Sequence, residues 1–136
     1  MSKYAAFGTQ LLRGAVAIAN VRSISGPGIK LDMEDVTSHD STEAWEELVA
    51  TILRTGEIGL EIEYDPAAAT HKNASGGLLY DIAQRASTTW SIVFPDTATT
   101  TWEFTAFVVG FEPDAPHDGA LTANVSLKIT GKPTLV

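Results

Sequence analysis

No cysteine occurs among the 136 residues, so neither a disulfide framework nor a thiolate metal site is open to this chain. Basic residues are scarce: Lys and Arg number 9 against 17 Asp and Glu, for a net charge of -8. A stable grip on a phosphate backbone needs clustered Lys and Arg, which argues against DNA as a tightly held ligand. An acidic protein can still surround DNA that must move, because repulsion prevents sticking. No apolar run approaches the roughly 18 residues that suggest a membrane span. Residues 1–14 lack the charged-then-apolar order of a secretory signal, and the expectation is a chain made and kept in a cytoplasm, with no membrane partner. The Asn-x-Ser triplets at Asn73 and Asn124 carry no weight as glycan sites without a secretory route.

What is present suffices for one folded domain, expected to span residues 1–136. Hydrophobic residues make up 44% and charged residues 19%, a balance of globular rather than disordered chains. The clearest pattern is strict alternation at 57–65, where Ile58, Leu60, Ile62 and Tyr64 interleave with Glu57, Gly59, Glu61, Glu63 and Asp65. That is a half-buried strand with an acidic outer face. Residues 29–34 alternate alike, with Ile29, Leu31 and Met33 against Lys30, Asp32 and Glu34, and so do 122–130, with Ala123, Val125, Leu127 and Ile129 inward. Over 102–111, Trp102, Phe104, Ala106 and Val108 point one way while Phe107 and Val109 point the other. Both faces there need cover, either from a neighbouring subunit or from the chain's own helix.

The main helix is expected from Asp40, a cap with Glu43 three residues on, through the stripe Trp45, Leu48, Val49, Ile52 and Leu53 to Gly56. A weaker helix is expected over about Leu78 to Ala86. Between 66 and 77 the sequence PAAATHKNASGG has no apolar face, so 65–77 reads as a flexible loop unable to order itself alone. The sum is an α+β arrangement, mostly β: two packed antiparallel sheets in a sandwich or barrel, flanked by one main helix.

A search for chemistry finds little. His39 lies beside Asp40 and Ser41, but catalytic partners converge from separate elements, and a polar helix start explains the cluster better. His71 and His117 lack metal-ligand spacing. Gly8-Thr9 and Gly76-Gly77 lack the setting and lysine of a P-loop. Trp45, Trp90 and Trp102 read as core, not as a stacking platform, and carboxylates two apart on one strand rarely close an oxygen cage alone. No catalytic residue, metal or cofactor is expected.

Several segments, in order along nearly the whole chain, resemble the siphophage major tail tube family. Gly8-Thr9-Gln10-Leu11, Ile18-Ala19-Asn20-Val21 and Ser23-Ile24-Ser25-Gly26-Pro27 resemble its opening strands. Asp35-Val36-Thr37-Ser38-His39-Asp40-Ser41 is similar to its Asp-x-Thr-Ser-His-x-Ser stretch. Phe94-Pro95-Asp96, Trp102-x-Phe104, Ala115-Pro116-His117-Asp118-Gly119 and Leu127-Lys128-Ile129-Thr130-Gly131-Lys132-Pro133 resemble its closing half.

The resemblance implies a tail-tube fold, lambda-like, without the C-terminal immunoglobulin-like domain some members carry. It implies homohexameric rings stacked end to end around a channel that DNA crosses without specific binding, and a place in the virion tail after assembly in the host cytoplasm. It implies as partners further copies of the chain, a tape measure protein, a tail terminator and baseplate or tail-tip proteins. The candidate lumen-facing acids are Glu57, Glu61 and Glu63, then Asp32 and Glu34. The candidate inter-subunit or inter-ring loop holds Asp65, Pro66, Thr70, His71, Lys72, Asn73 and Ser75. A terminator ring of related fold, or a small enzyme or ligand-binding module, are the rival expectations.

Overall fold

The structure, a computed structural model, describes residues 3–135; Met1, Ser2 and Val136, at the ends of the expected domain, lie outside the described residues. The strands are β1 (Gln10–Arg13), β2 (Val16–Ala17), β3 (Val21–Ser25), β4 (Ile29–Asp35), β5 (Leu48–Thr55), β6 (Glu57–Glu63), β7 (Thr88–Val93), β8 (Thr101–Asp114) and β9 (Thr122–Thr134). One α-helix, α1 (Leu78–Gln84), precedes β7. Seven strands form an antiparallel sheet in the order β2-β1-β7-β8-β9-β6-β3, and β4 and β5 form a second, two-stranded sheet. The fold class is thus α+β, mostly β, as expected.

Period-2 patterning builds the core. Ile58, Leu60 and Ile62 of β6 stand opposite Leu127, Val125 and Ala123 of β9, and all six are buried. Trp90, Ile92, Phe104, Ala106 and Val108 extend that layer across β7 and β8. Each fully buried aliphatic or aromatic side chain of this kind contributes ~1.5–3 kcal/mol. The sheet curls until β1 lies beside β3, and no ladder pairs the two. The result is a barrel-like wrap with an open seam.

The expected main helix at 40–54 is not there. The segment instead makes one 3-10 turn, Thr42–Ala44, and then strand β5. Asp40 caps nothing; its amide donates to the Ser38 hydroxyl at 3.3 Å, and Ser41 Oγ accepts the amide of Ser38 at 3.0 Å. The spacing of Trp45, Leu48, Val49, Ile52 and Leu53 suits a helix, yet Val49, Thr51, Ile52 and Thr55 are β-branched and stiff. What decides is the partner strand: a helix here would leave the backbone groups of β4 unpaired. Pairing Leu31 with Leu53 and Met33 with Ala50 satisfies both segments.

The weaker expected helix is the real one. It lies against β8 with Leu78 fully buried. Gly77 begins it because a Cβ there would stand 1.8 Å from the carbonyl oxygen of Lys72. On the inner face of β1, Arg13 meets the buried Asp81 of α1 through two bonds of 2.7 Å, Nε to Oδ2 and Nη2 to Oδ1. That hydrogen bond raises the Arg13 guanidinium further above its ordinary value. The helix does not cover the outer face of β8, where Phe107 and Val109 stay 37% and 52% exposed.

Candidate functional site

Strands β4 and β5 project from the body as an arm. The chain leaves β3 at Gly26, whose φ is +91° and where a Cβ would stand 2.5 Å from the carbonyl oxygen of Glu57, so only glycine fits. At the base the Gly56 amide donates to Gly28 O at 3.0 Å. Beyond it, β4 and β5 contact each other extensively and the rest of the fold marginally at most.

One side of the arm is apolar, the other mixes apolar and charged residues, and neither is covered. Register sets Ile29, Leu31, Met33 and Leu53 on one face, all between 43% and 74% exposed. The other face carries Val49 and Ile52 among Lys30, Glu34 and the Asp32–Arg54 ion pair at 2.6 Å. The expectation of one buried side for 29–34 therefore fails within the single chain, although the alternation is as read. Trp45, expected in a core, is 71% exposed near the arm's tip. A lone two-stranded ribbon is marginal in water, and an apolar surface of this extent marks an interaction site.

The acidic residues lie on the outer face of the large sheet. Cross-strand register places Glu61, Asn124 and Glu112 in one row and Glu63, Thr122 and Asp114 in the next. Glu57 faces Lys128, itself opposite Phe107. Arg22 approaches Glu61 at 3.4 Å and Glu63 at 3.9 Å, but these side chains are well exposed and such pairs contribute little. Glu112 and Asp114 escaped the sequence reading because they follow a register shift between Val108 and Gly110, which breaks the alternation of β8. Glu34 and Asp32 lie away from this patch, on β4, and Asp32 is already engaged by Arg54.

Residues 65–77, expected to lack order of their own, are held by hydrogen bonds. Leu78 donates its amide to Thr70 O at 3.0 Å, and Gly77 donates to Ala74 O at 2.8 Å. The Ala19 amide donates to the Thr70 hydroxyl at 3.1 Å. His71 is fully buried; its Nδ1 accepts the Asp65 amide at 3.2 Å, so Nε2 carries the proton and donates to Ala19 O at 2.7 Å. Polar anchoring of this kind leaves no trace in an apolar pattern. Asp65, Pro66, Lys72, Asn73 and Ser75 remain exposed on the outside of the turn.

His71→Ala is expected to lower stability by about 1–3 kcal/mol, the usual cost of stranding buried polar groups. Limited proteolysis should then cut within 65–77 much sooner than in the unaltered chain; an unchanged melting temperature and cleavage rate would contradict the anchoring role.

At the open seam beside β3, a groove of about 670 Å³ lies between β3 and the ends of β7 and β8. Val21, Ile24, Ile92, Phe94 and Trp102 line it together with Tyr4, Ala5, Ala6 and Pro95, and Phe94 meets Trp102 edge to face at 5.2 Å. Arg22 and Asp96 supply its charge. The Thr100 hydroxyl and amide both donate to the Asp96 carboxylate and hold it below the usual carboxylate range. Thr37 acts likewise on Asp35. Both shifts are downward, so the stabilisation they contribute is complete above the unfolded pKa and is lost as pH falls through the lowered one.

His39 and Asp40 are exposed on the loop between β4 and β5, and the described residues contain no cluster of three or more His, Asp or Glu suited to a metal. Among them, no helix is long and apolar enough to cross a membrane, which leaves strands unaddressed.

The family model described as "Lambda phage tail tube protein, TTP" matches residues 5–136. A chain from the virion of a native gene transfer agent particle superposes with a TM-score of 0.78 at 15% identity, covering 98% of this chain and 99% of that one. A chain from the sheath/tube terminator of an extracellular contractile injection system gives 0.75 at 13% identity, covering 100% and 98%. One from the tube-terminating cap of the anti-feeding prophage gives 0.73 at 15%, covering 100% and 92%. No curated protein sequence matches.

Proposed function

Because the chain belongs to the lambda phage tail tube protein family, and is thereby a structural component of the tail, we propose that it polymerises into the tube of a long non-contractile tail. Hexameric rings stack end to end, and viral DNA passes through the bore. The observation that carries this reading is the arm, β4 and β5, with one apolar face, Val49 and Ile52 on the other, and cover on neither. A free chain has nothing to sandwich it, and further copies do. The same holds for the unpaired edges of β2 and β3, hazards in a lone β domain that ring closure satisfies.

The bore is lined by the carboxylates of Glu57, Glu61 and Glu63, now joined by Glu112 and Asp114; Asp32 and Glu34 remain the second set. Repulsion of phosphates lets the genome slide. Asp65, Pro66, Lys72, Asn73 and Ser75 of the anchored turn, set on Thr70 and His71, meet a neighbouring subunit or ring. The tape measure, terminator and baseplate or tip proteins are the other partners.

Negative-stain microscopy of the concentrated pure protein tests this, with open-ended tubes expected. Discrete single rings would favour a terminator instead. Virions carrying Glu61→Lys and Glu63→Lys are expected to assemble normal tails and to eject DNA more slowly. Unchanged ejection from normal tails would remove these residues from the bore.

A further inference from the structure

The groove and the tip of the arm match in chemistry, an aromatic-lined hollow with Arg22 against an exposed indole beside Glu46, and they cannot meet within one chain. Gly26, at the base of the arm, itself lines the groove. The seven residues of β4, at about 3.3 Å each, carry the tip roughly 20 Å away from that base. Trp45 is held there by the bonds that close the loop: Val36 donates to Glu47 O at 2.9 Å, and Glu47 donates to Thr37 Oγ1 at 2.8 Å. An indole 71% exposed beside exposed Glu46 is an anchor without a pocket. The groove is a pocket without an anchor: about 670 Å³ lies within the roughly 300–1,000 Å³ of sites that bury a ligand.

We propose that Trp45 of one copy seats in the groove of a second copy, against Phe94 and Trp102, with Glu46 beside Arg22. This rests on the tube reading and names its docking contact. Edge-to-face aromatic lining suits an incoming indole, and buried tryptophans in desolvated pockets dominate protein interfaces. Arg22 is free to take the new partner because its bonds to Glu61 and Glu63, at 3.4 and 3.9 Å, are long and solvent-exposed. Asp96 does not oppose it strongly, since Thr100 already occupies its carboxylate.

The absence of native cysteine makes the test clean. Ser23→Cys in the groove and Glu46→Cys beside Trp45, placed together in the full chain, are expected to give covalent dimers and longer ladders when assembled protein is oxidised. Bridging needs the Cα atoms within about 7 Å, out of reach inside one chain, and each single cysteine is the control. Trp45→Ala is expected to raise the protein concentration needed for assembly about a hundredfold. Arg22→Glu and Glu46→Arg should each raise it about tenfold, and the two combined should restore it. Normal tubes without cross-links, or assembly by Trp45→Ala at the unaltered concentration, would overturn the docking and leave the tube reading standing. Failure of the charge exchange to restore assembly would also overturn it. If the unaltered chain stays monomeric at every concentration, the tube reading falls and takes this contact with it.

Discussion

A chain carrying Leu31→Thr and Leu53→Thr is expected to fold normally and to lose assembly. The two side chains stand opposite each other across β4 and β5, 50% and 74% exposed, and neither belongs to the core cluster. Threonine keeps the strand preference of the arm, and loss of the cross-strand contact costs the monomer only about 0.2–1 kcal/mol. Covering both leucines in an interface contributes roughly 2–4 kcal/mol per contact, given that full burial of one is worth about 1.5–3. That corresponds to roughly two orders of magnitude in the concentration at which copies associate. Thermal melting and sedimentation together check it: an unchanged melt with assembly lost is the expected pair. A chain that still assembles at the original concentration would show that this face of the arm meets nothing.

Arg13→Leu has the largest expected effect on folding itself. Asp81 is 3% exposed and Arg13 24%, so removing the guanidinium strands a buried carboxylate. Breaking such a pair typically costs about 3–5 kcal/mol; the partial exposure of Arg13 argues for about 3. For a chain of this size that is a fall of roughly 10 °C or more in melting temperature. Replacing both residues by leucine should cost less than the sum of the single changes, because no charge is then left unpaired. Additive losses in the four-member cycle would mean that the pair is not coupled. The bridge joins β1 to α1 and positions the helix whose start closes the 65–77 turn, so its loss should also expose that turn to proteolysis.

How far the sequence could be read depended on how local the deciding interaction was. In β6 and β9 the alternation itself places Ile58, Leu60 and Ile62 against Leu127, Val125 and Ala123, because one face of each strand is buried by its own sheet. The helix at Leu78–Gln84 was visible, though weakly. At 48–55 the same apolar residues satisfy both a helical stripe and a strand apolar on two faces. Periodicity cannot choose between them when neither face is buried by the chain. The order of residues 65–77 was hidden for a different reason: His71 and Thr70 hold it by hydrogen bonds to Ala19, more than fifty positions away. Glu112 and Asp114 joined the acidic rows only through a register shift in β8.

Composition and order of segments were enough to determine a mostly β domain, an acidic surface unsuited to gripping DNA, a resemblance to tail tube proteins and the inward residues of the long strands. Those properties are sums or short-range alternations, written in neighbouring residues. The tertiary structure alone decided that 48–55 is a strand, that Trp45 and the arm stand uncovered, that a groove opens beside β3, and which carboxylates share a face. Each of these depends on which distant segment completes a hydrogen-bond ladder or fails to cover an apolar face, and no local pattern carries that information.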